Sequence, residues 1–215
     1  MITAKEIRKR AREQLKGKYV VYLLPIAMLF AVYTTANALT NLAAGAGFAE
    51  SRRILSVLLP LTSVLLFLFG VHPLFVGISG SFLKGNSQEP QPMDFLLVFR
   101  NRYFRTVKNM LLVMLKILCW TLILIVPGIL RLLEYAMVPF VLAEHPEMDD
   151  EDACNASKLL MKGNKWRFCK LVLSFLGWFL LAACTFGLGL LFLWPYLHGA
   201  YAQFYLAVKK EKEAE

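Results

Sequence analysis

Six long apolar runs constrain the fold of this sequence more than any other feature. A helix that crosses the hydrocarbon core of a bilayer needs about 20 mainly apolar residues. Hydrophobic residues make up 58% of the chain and charged residues only 18%, below the roughly 25% charge of a typical soluble domain. We therefore predict an all-α, polytopic membrane bundle that forms a single integral membrane domain over residues 1–215. The predicted spans cover residues 20–43, 54–83, 107–126, 129–143, 168–184 and 188–208.

The second run is longer than a bilayer requires. Residues 54–83 would extend about 45 Å as one helix at about 1.5 Å per residue, and Pro60 and Pro73 interrupt them. We expect a kink near Pro73, a strong tilt or a short re-entrant break. Later in the chain, Pro127-Gly128 is predicted to turn the chain between the third and fourth spans. The glycine-rich "TFGLGL" is predicted to do so between the fifth and sixth.

Three amphipathic segments alternate with the apolar runs. Residues 3–16 start with a Thr-x-x-Glu capping box, and residues 93–106 carry aromatic and basic side chains at helical spacing. Residues 149–162 begin with four acidic residues and end with lysines, which suits the dipole of a helix. We predict three interfacial helices on the cytoplasmic side.

Basic residues gather between alternate spans. The four segments 1–18, 84–108, 158–170 and 209–212 contain 20 of the 24 Lys and Arg residues. Because cytoplasmic loops carry the excess of Lys and Arg, this pattern predicts an even number of spans with both termini in the cytoplasm. We expect a multi-pass protein of the plasma membrane.

A weak internal repeat links the segments to the spans. "AREQLKGKY" at 11–19 is similar to "ASKLLMKGNKW" at 156–166, and "RTVKNMLL" at 105–112 is similar to "RFCKLVLS" at 167–174. A unit of one interfacial helix and one transmembrane hairpin, used three times, would account for the whole chain. Chance similarity over such short stretches is the alternative.

These stretches also carry a family resemblance. "ITAKEIRKRAREQLKGKY", "PGILRLLEYAMVPFVLAEHPEM" and "ASKLLMKGNKWRF", with "LSFLGWFLL" and "FGLGLLFLWPY", resemble the family catalogued as domain of unknown function 975. The resemblance implies a prokaryotic plasma-membrane protein with six spans and no established activity. It implies a more distant similarity to the membrane domain of some glycerophosphodiester phosphodiesterases. The "HP" at 72–73 departs from the small residues expected there.

Ionisable residues within the predicted spans are the first site candidates. Lys116 lies near the middle of the third span, and Arg131 and Glu134 are three residues apart in the fourth. An ionisable group at this depth marks a functional site by default, whereas the structural alternative is a lysine paired inside the bundle. We predict a polar cluster of Lys116, Arg131 and Glu134. Thr34, Asn37 and Asn41 form a polar stripe on the first span that either joins helices or lines a cavity.

Basic residues at the span entrances are predicted to contact anionic lipid headgroups. The net charge is +9, but the cations flank apolar runs and do not form one face, which argues against nucleic-acid binding. The predicted headgroup contacts are Lys16, Lys18, Arg105, Lys108, Lys162, Lys165, Trp166, Arg167 and Lys170.

The sequence gives little support to catalysis. The three histidines are scattered, and neither a zinc-protease, serine-hydrolase, phosphate-loop nor dinucleotide motif is present. The four cysteines have no metal-ligand spacing. We expect no enzyme activity, no metal and no cofactor. Two functions stay open: a membrane scaffold or lipid and envelope homeostasis protein that binds anionic lipid, or a small transporter with a polar path near Lys116, Arg131 and Glu134.

Overall fold

A computed structural model describes residues 2–45, 53–100, 103–185 and 188–214, and the regular elements within these ranges are all helical. The predicted contributions of Arg52, Arg102 and Gly187 lie outside the described residues. The α-helices are α1 (Ala4–Leu15), α2 (Tyr19–Gly45), α3 (Arg53–Leu66), α4 (His72–Ser87), α5 (Leu97–Arg100), α6 (Tyr103–Ile123), α7 (Ile125–Glu134), α8 (Val138–Glu144), α9 (Asp150–Met161), α10 (Lys165–Leu173), α11 (Leu176–Cys184) and α12 (Leu188–Glu213).

Four helical stretches are long and apolar enough to cross a membrane. They are Tyr19–Leu42, Val57–Ser87, Val126–Glu144 and Lys165–Cys184. These stretches correspond to the first, second, fourth and fifth predicted spans. The runs at 107–126 and 188–208 form α6 and α12, and their crossing of the bilayer stays a prediction.

The long second run contains a local break. A π-helical turn, Phe67–Val71, joins α3 to α4 just before Pro73. Because proline lacks an N–H and its ring clashes with the carbonyl four residues earlier, the carbonyl of Phe69 loses its helical donor. The hydroxyl of Tyr103 donates to that carbonyl at 2.5 Å. The expected interruption near Pro73 is therefore a π-bulge whose freed acceptor is satisfied by another helix.

The turn between the third and fourth predicted spans lies earlier than Pro127-Gly128. The chain reverses at Leu124, which has extended backbone angles between α6 and α7. Pro127 falls in the first turn of α7, where its missing N–H has no intrahelical partner to lose. A Cβ at Gly128 would lie 2.5 Å from Oγ1 of Thr121. The glycine is thus needed for the close approach of α6 and α7 and not for the turn itself.

Two other predicted helices are interrupted. The run 129–143 breaks at Tyr135–Met137, between α7 and α8, and the run 168–184 breaks at Ser174-Phe175, between α10 and α11. The backbone groups freed by the breaks find partners: the hydroxyl of Ser157 donates to the carbonyl of Glu134 at 2.6 Å. Each of these two predicted spans is therefore divided into two helices, because tertiary hydrogen bonds replace helical ones at the break.

The predicted helix 93–106 also differs from the structure. It is a 3-10 turn, Asp94–Leu96, followed by the short α5, and α6 starts at Tyr103. Phe95 is buried against Gly77 of α4. The contact of Phe95 with α4 therefore determines the conformation of this segment more than its helical periodicity does.

The internal repeat is clearest in α1 and α9. Each has 12 residues, and each is followed by a lysine and then by a glycine with positive φ, +76° at Gly17 and +80° at Gly163. A positive φ at this position ends a helix and favours glycine. The buried side chains also correspond in order. They are Ile7, Ala11 and Leu15 in α1, and Ala153, Ser157 and Met161 in α9.

A second pattern recurs in the last helix of each unit of the repeat, which is α4 in the first unit, α8 in the second and α12 in the third. Proline is followed four residues later by a small residue in Pro73 and Gly77 of α4, Pro139 and Ala143 of α8, and Pro195 and Gly199 of α12. We call α4, α8 and α12 the inner helices, because they pack together at the centre of the bundle. The rings of Phe140 and Tyr205 stack there.

The three units are arranged in a ring. We call α1, α9 and the segment 94–100 the entry helices. Each entry helix packs on the inner helix of the preceding unit: α1 on α12, 94–100 on α4, and α9 on α8. In this order the first unit contacts the third, the second contacts the first, and the third contacts the second. The entry helices therefore bury their apolar faces in protein, while their lipid contacts stay predicted.

Candidate functional site

The junctions between units carry one recurring hydrogen bond. In each unit the first long helix is α2, α6 or α10. Its first residue donates a hydrogen bond to the preceding unit, at a residue shortly before the proline of that unit's inner helix. Tyr19 donates to the carbonyl of Phe192, and Tyr103 donates to that of Phe69. At the third junction Lys165 takes the tyrosine's place, and its ammonium lies 2.7 Å from a carboxylate oxygen of Glu134. Two junctions are neutral and one is charged.

The charged junction is built around Glu134, the last residue of α7. One carboxylate oxygen binds Lys165, and the other accepts from Arg131 at 2.7 Å. The Glu134 side chain is only 19% exposed, and α9 holds its carbonyl through Ser157. Because a poorly solvated carboxylate needs paired donors, the local packing fixes both cations close to one another.

Lys116 lies beside this group with a different partner. Its ammonium is 2.8 Å from Asp150, the first residue of α9. Arg131 stacks over the ring of Trp120, with its guanidinium carbon 4.8 Å from the centroid. We call Lys116, Arg131, Glu134, Asp150 and Lys165 the charged cluster. It has three cations and two carboxylates, so one positive charge remains.

Of the three residues predicted to cluster, the structure brings Arg131 and Glu134 together, whereas Lys116 pairs with Asp150. Asp150, Ser157 and Lys165 were missed as members of this site. The acidic run at 149–152 is also typical of a solvated helix start, and Lys165 was predicted to contact lipid headgroups. Only the packing of α9 against α6 and α7 reveals that these residues meet.

The charged cluster is not required by the fold. The position of Glu134, five residues before the inner-helix proline, is occupied by Leu68 in the first unit and Leu190 in the third. Aligning the starts of the first long helices likewise places Val32 and Trp178 at the position of Lys116. The same architecture forms twice without these charges, so their presence at one junction needs another explanation.

An apolar groove of about 810 Å³ is lined in part by Ile117, Leu133 and Trp166, which adjoin members of the charged cluster in the sequence. We call it the large groove. Trp166, next to Lys165, borders it and is 66% exposed. The lining residues are His72, Phe75, Met110, Val113, Met114, Ile117, Leu132, Leu133, Tyr135, Ala136, Val138, Pro139, Phe140, Trp166, Phe168, Cys169, Val172, Leu173 and Tyr201. The groove combines an apolar interior with charged residues at adjoining positions of the sequence.

A smaller groove of about 440 Å³ lies at the junction of the third and first units. Leu190 and Leu191 of α12 occupy the positions of Glu134 and Tyr135, and Ile26 of α2 occupies that of Val172. Phe75 borders both grooves. The small groove is lined by Ile26, Leu29, Phe30, Tyr33, Val71, Phe75, Leu190, Leu191 and Trp194, none of which is charged.

The predicted polar stripe on α2 lies on its exposed side. Thr34, Asn37 and Asn41 are all exposed, and Thr34 and Asn37 hydrogen-bond to carbonyls of their own helix. The hydrogen bond that joins α2 to α3 comes from Thr40, whose hydroxyl lies 3.1 Å from that of Ser63. The structure does not bring the stripe together with the charged cluster.

The predicted headgroup residues divide into two groups. Lys16, Lys108, Lys162, Trp166 and Lys170 are exposed. The others have protein partners. Lys18 pairs with Glu89 at 3.9 Å, Arg105 donates to the carbonyl of Glu147 at 2.7 Å, Lys165 binds Glu134, and Arg167 binds Glu211 at 2.7 Å.

Arg167 and Glu211 tie the start of α10 to the end of α12. The guanidinium also donates to the carbonyl of Ile2 at 3.0 Å. Its hydrogen bonds hold the pKa of the Glu211 carboxyl below the ordinary value. The carboxylate is therefore ionised at neutral pH. The backbone of Ile2, which hydrogen-bonds to both Arg167 and Glu211, joins the first unit to this pair of the third unit.

Within the described residues, no group of three or more His, Cys, Asp or Glu side chains is arranged to hold a metal ion. The cysteines are free, and burial raises the pKa of the Cys154 thiol above its ordinary value. That thiol is consequently poorly ionised at neutral pH and a weak nucleophile.

Comparison with known proteins gives one match. Neither curated proteins nor solved structures match the chain. A family model matches residues 53–212, which include the complete second and third units and the charged cluster. The chain belongs to the family described as "Protein of unknown function (DUF975)".

Proposed function

We propose that this protein is a six-span plasma-membrane protein that binds one anionic lipid in the large groove, as a non-enzymatic scaffold or in lipid and envelope homeostasis. An acyl chain lies in the apolar interior, and the phosphate contacts the charged cluster and Trp166. The observation that carries the proposal is the pairing of this groove with cations that the two neutral junctions lack.

The balance of charge supports an anionic headgroup. Arg131 and Lys165 each donate a hydrogen bond to Glu134. A guanidinium and an ammonium have further N–H donors that can bind a headgroup. The Lys165 side chain keeps 33% of its surface exposed. Basic residues near an anionic membrane surface each contribute about 1 kcal/mol of attraction. An exposed tryptophan beside them suits the boundary between headgroups and acyl chains.

The proposed orientation places the entry helices at the cytoplasmic face with both termini. Ion pairs along this side include Lys18 with Glu89 and, between the third and second units, Lys209 with Glu144. These pairs put basic segments from different parts of the sequence at one end of the bundle. That arrangement fits the excess of Lys and Arg expected on the cytoplasmic side.

Filling the groove tests the proposal. Ala136 lines the large groove and Leu29 lines the small one, so Ala136→Trp and Leu29→Trp block one groove each. Native mass spectrometry of protein extracted with its lipids should show bound phospholipid in the wild type and in Leu29→Trp. Ala136→Trp should lose it while keeping its thermal stability. Equal phospholipid retention in a folded Ala136→Trp protein would exclude the large groove as the binding site.

A transporter is the second candidate, favoured by the interrupted helices. Three of the four stretches that could span a membrane contain a break, at 67–71, 135–137 and 174–175. Broken helices of this kind form substrate sites in many transporters. A transporter would require the charged cluster to face water from both sides in turn. Cysteine introduced at Leu133 should then react with membrane-impermeant reagents from each side, whereas a lipid site limits labelling to one side.

A further inference from the structure

A second basic site lies beneath α1. A cavity of about 680 Å³ is bordered by residues of α1 and by Trp178 of α11 and Tyr196 of α12. Its lining includes four cations on one side and two aromatic rings on the other. These residues are Lys5, Arg8, Lys9, Arg12, Trp178 and Tyr196, with Thr3 and Glu6 completing the wall. The cavity belongs to the junction between the first and third units, away from the large groove.

The equivalent position at the junction of the second and third units is internally neutralised. There Asp150 of α9 binds Lys116 of α6 at 2.8 Å, and the repeat places Lys116 where Trp178 stands in α11. The positions of Lys5, Arg8 and Lys9 are taken by Glu151, Cys154 and Asn155. The junction of the second and third units thus has the carboxylate of Asp150 beside its cation. The junction of the first and third units has cations that face aromatic rings.

The cations of α1 have few partners among the described residues. Arg8 donates to the carbonyl of Ser174 at 3.2 Å, which satisfies the break between α10 and α11. Lys9 has only Glu13, one turn along the same helix, at 4.0 Å. Glu6, the acidic residue of the cavity wall, pairs outside it with Arg10 at 3.6 Å. Lys5 and Arg12 have no ion pair within the described chain. The positive charge of this cavity is therefore largely uncompensated.

We infer that the cavity beneath α1 binds a phosphate group, either that of a phosphomonoester lipid headgroup or a soluble phosphate ion. Phosphate oxygens accept from Lys and Arg at several positions, and arginine binds them with two parallel hydrogen bonds. Trp178 and Tyr196 give the rest of the ligand an apolar and partly polar wall, as in interfacial aromatic belts. The inference uses the membrane location of the proposed function but not the large groove.

Three exposed cations can be removed without touching the fold. Lys5→Gln/Lys9→Gln/Arg12→Gln leaves Arg8 to hold Ser174. Lys84→Gln/Lys210→Gln/Lys212→Gln removes the same charge from exposed positions outside the cavity lining and outside the predicted headgroup contacts. Calorimetric titration of the purified chain with short-chain phosphatidic acid and with pyrophosphate compares the two sources. Each cation near an anionic ligand is expected to contribute roughly fivefold in affinity.

The α1 variant should bind short-chain phosphatidic acid at least about tenfold more weakly, and the control variant by less than about threefold. If pyrophosphate also binds and the α1 variant weakens its binding in the same way, the ligand is a soluble phosphate. If only phosphatidic acid binds, the ligand is a lipid. Absence of binding by both, or equal weakening in the two variants, overturns the inference. Ala136→Trp should leave this binding unchanged, so failure of the large groove and failure of this site are separate results.

Discussion

The large and small grooves occupy corresponding positions in the ring of units but differ in charge. Each lies between an inner helix and the first long helix of the following unit, and Phe75 borders both. At the junction of the third and first units, which carries the small groove, the hydroxyl of Tyr19 donates to the carbonyl of Phe192. Beside the large groove, Lys165 and Arg131 converge on Glu134 at 2.7 Å. The fold needs a donor at this place, but it does not need an ion pair.

The difference separates architecture from specialisation. Features found at two or three junctions, such as the entry-helix contact and the inner-helix proline, maintain the ring. Features found at one junction, such as the charged cluster and the uncompensated cations of α1, are free to serve a ligand. Burying charge is costly unless it is paired. Two junctions have the same arrangement without charges. The ion pairs of the third junction are therefore not explained by the arrangement of the ring, and they point to a function.

The largest expected effect concerns the contacts that the junctions share. A Cβ at Gly77 would lie 3.1 Å from the carbonyl carbon of Phe95, which is backbone and cannot move aside. At the corresponding Gly199 the nearest atoms are side-chain carbons at 3.4 and 3.6 Å. Gly77→Ala should cost about 3 kcal/mol or prevent folding, and Gly199→Ala should be nearly neutral. Thermal unfolding in detergent measures both; similar midpoints would contradict the tight contact.

Removal of one partner from the charged cluster comes next. Glu134→Leu leaves Arg131 and Lys165 close together without their carboxylate and should cost about 2 kcal/mol. Adding Lys165→Tyr reproduces the corresponding residues at the junction of the third and first units, Leu190 and Tyr19, and should restore most of that loss. A double variant no more stable than Glu134→Leu would show that the two junctions are not interchangeable.

The hydrogen bond from α9 to the helix break is expected to contribute less. Ser157→Ala removes the hydroxyl that binds the Glu134 carbonyl at 2.6 Å, for a cost of about 1 kcal/mol. Hydrogen exchange should rise at Tyr135–Met137 and stay unchanged at Ser174-Phe175, where Arg8 is the donor. Uniform exchange changes at both breaks would argue against a local role.

The smallest effect is the pH dependence of the Arg167–Glu211 pair. Because the pKa of folded Glu211 is lowered, the pair contributes stability above the unfolded carboxyl pKa near 4.5 and loses it as the pH falls through the lower folded value. Glu211→Gln should lower stability by less than about 1 kcal/mol at neutral pH and match the wild type in acid. A constant difference in unfolding midpoint from neutral to acid pH would refute this assignment.

Much of the fold follows from local sequence. The bounds of α1 and α9 are set by caps and by a glycine after the last turn, and both were predicted within two residues. Helix breaks were harder to locate. Pro73 signals one, but Tyr135–Met137 and Ser174-Phe175 contain no proline or glycine and depend on donors from distant helices.

The charged cluster was predictable only in part. Arg131 and Glu134 are three residues apart on one helix, so their contact follows from helical geometry. Lys116 with Asp150, and Lys165 with Glu134, join residues 34 and 31 positions apart. Their meeting depends on how α9 packs under α6 and α7. Hydropathy and charge patterns carry no information on that packing.

The headgroup selectivity of the Arg131→Leu/Glu134→Leu/Lys165→Tyr variant, in which only the neutral Lys116–Asp150 pair of the charged cluster remains, tests the central claim most directly. Wild type and variant would be placed in nanodiscs of mixed anionic and zwitterionic phospholipid, and the bound lipid identified by native mass spectrometry. We predict that the wild type retains anionic phospholipid, and that the folded variant keeps a lipid in its groove but loses the preference for anionic headgroups. An unchanged anionic preference in the variant would contradict the assignment of the charged cluster as a headgroup site.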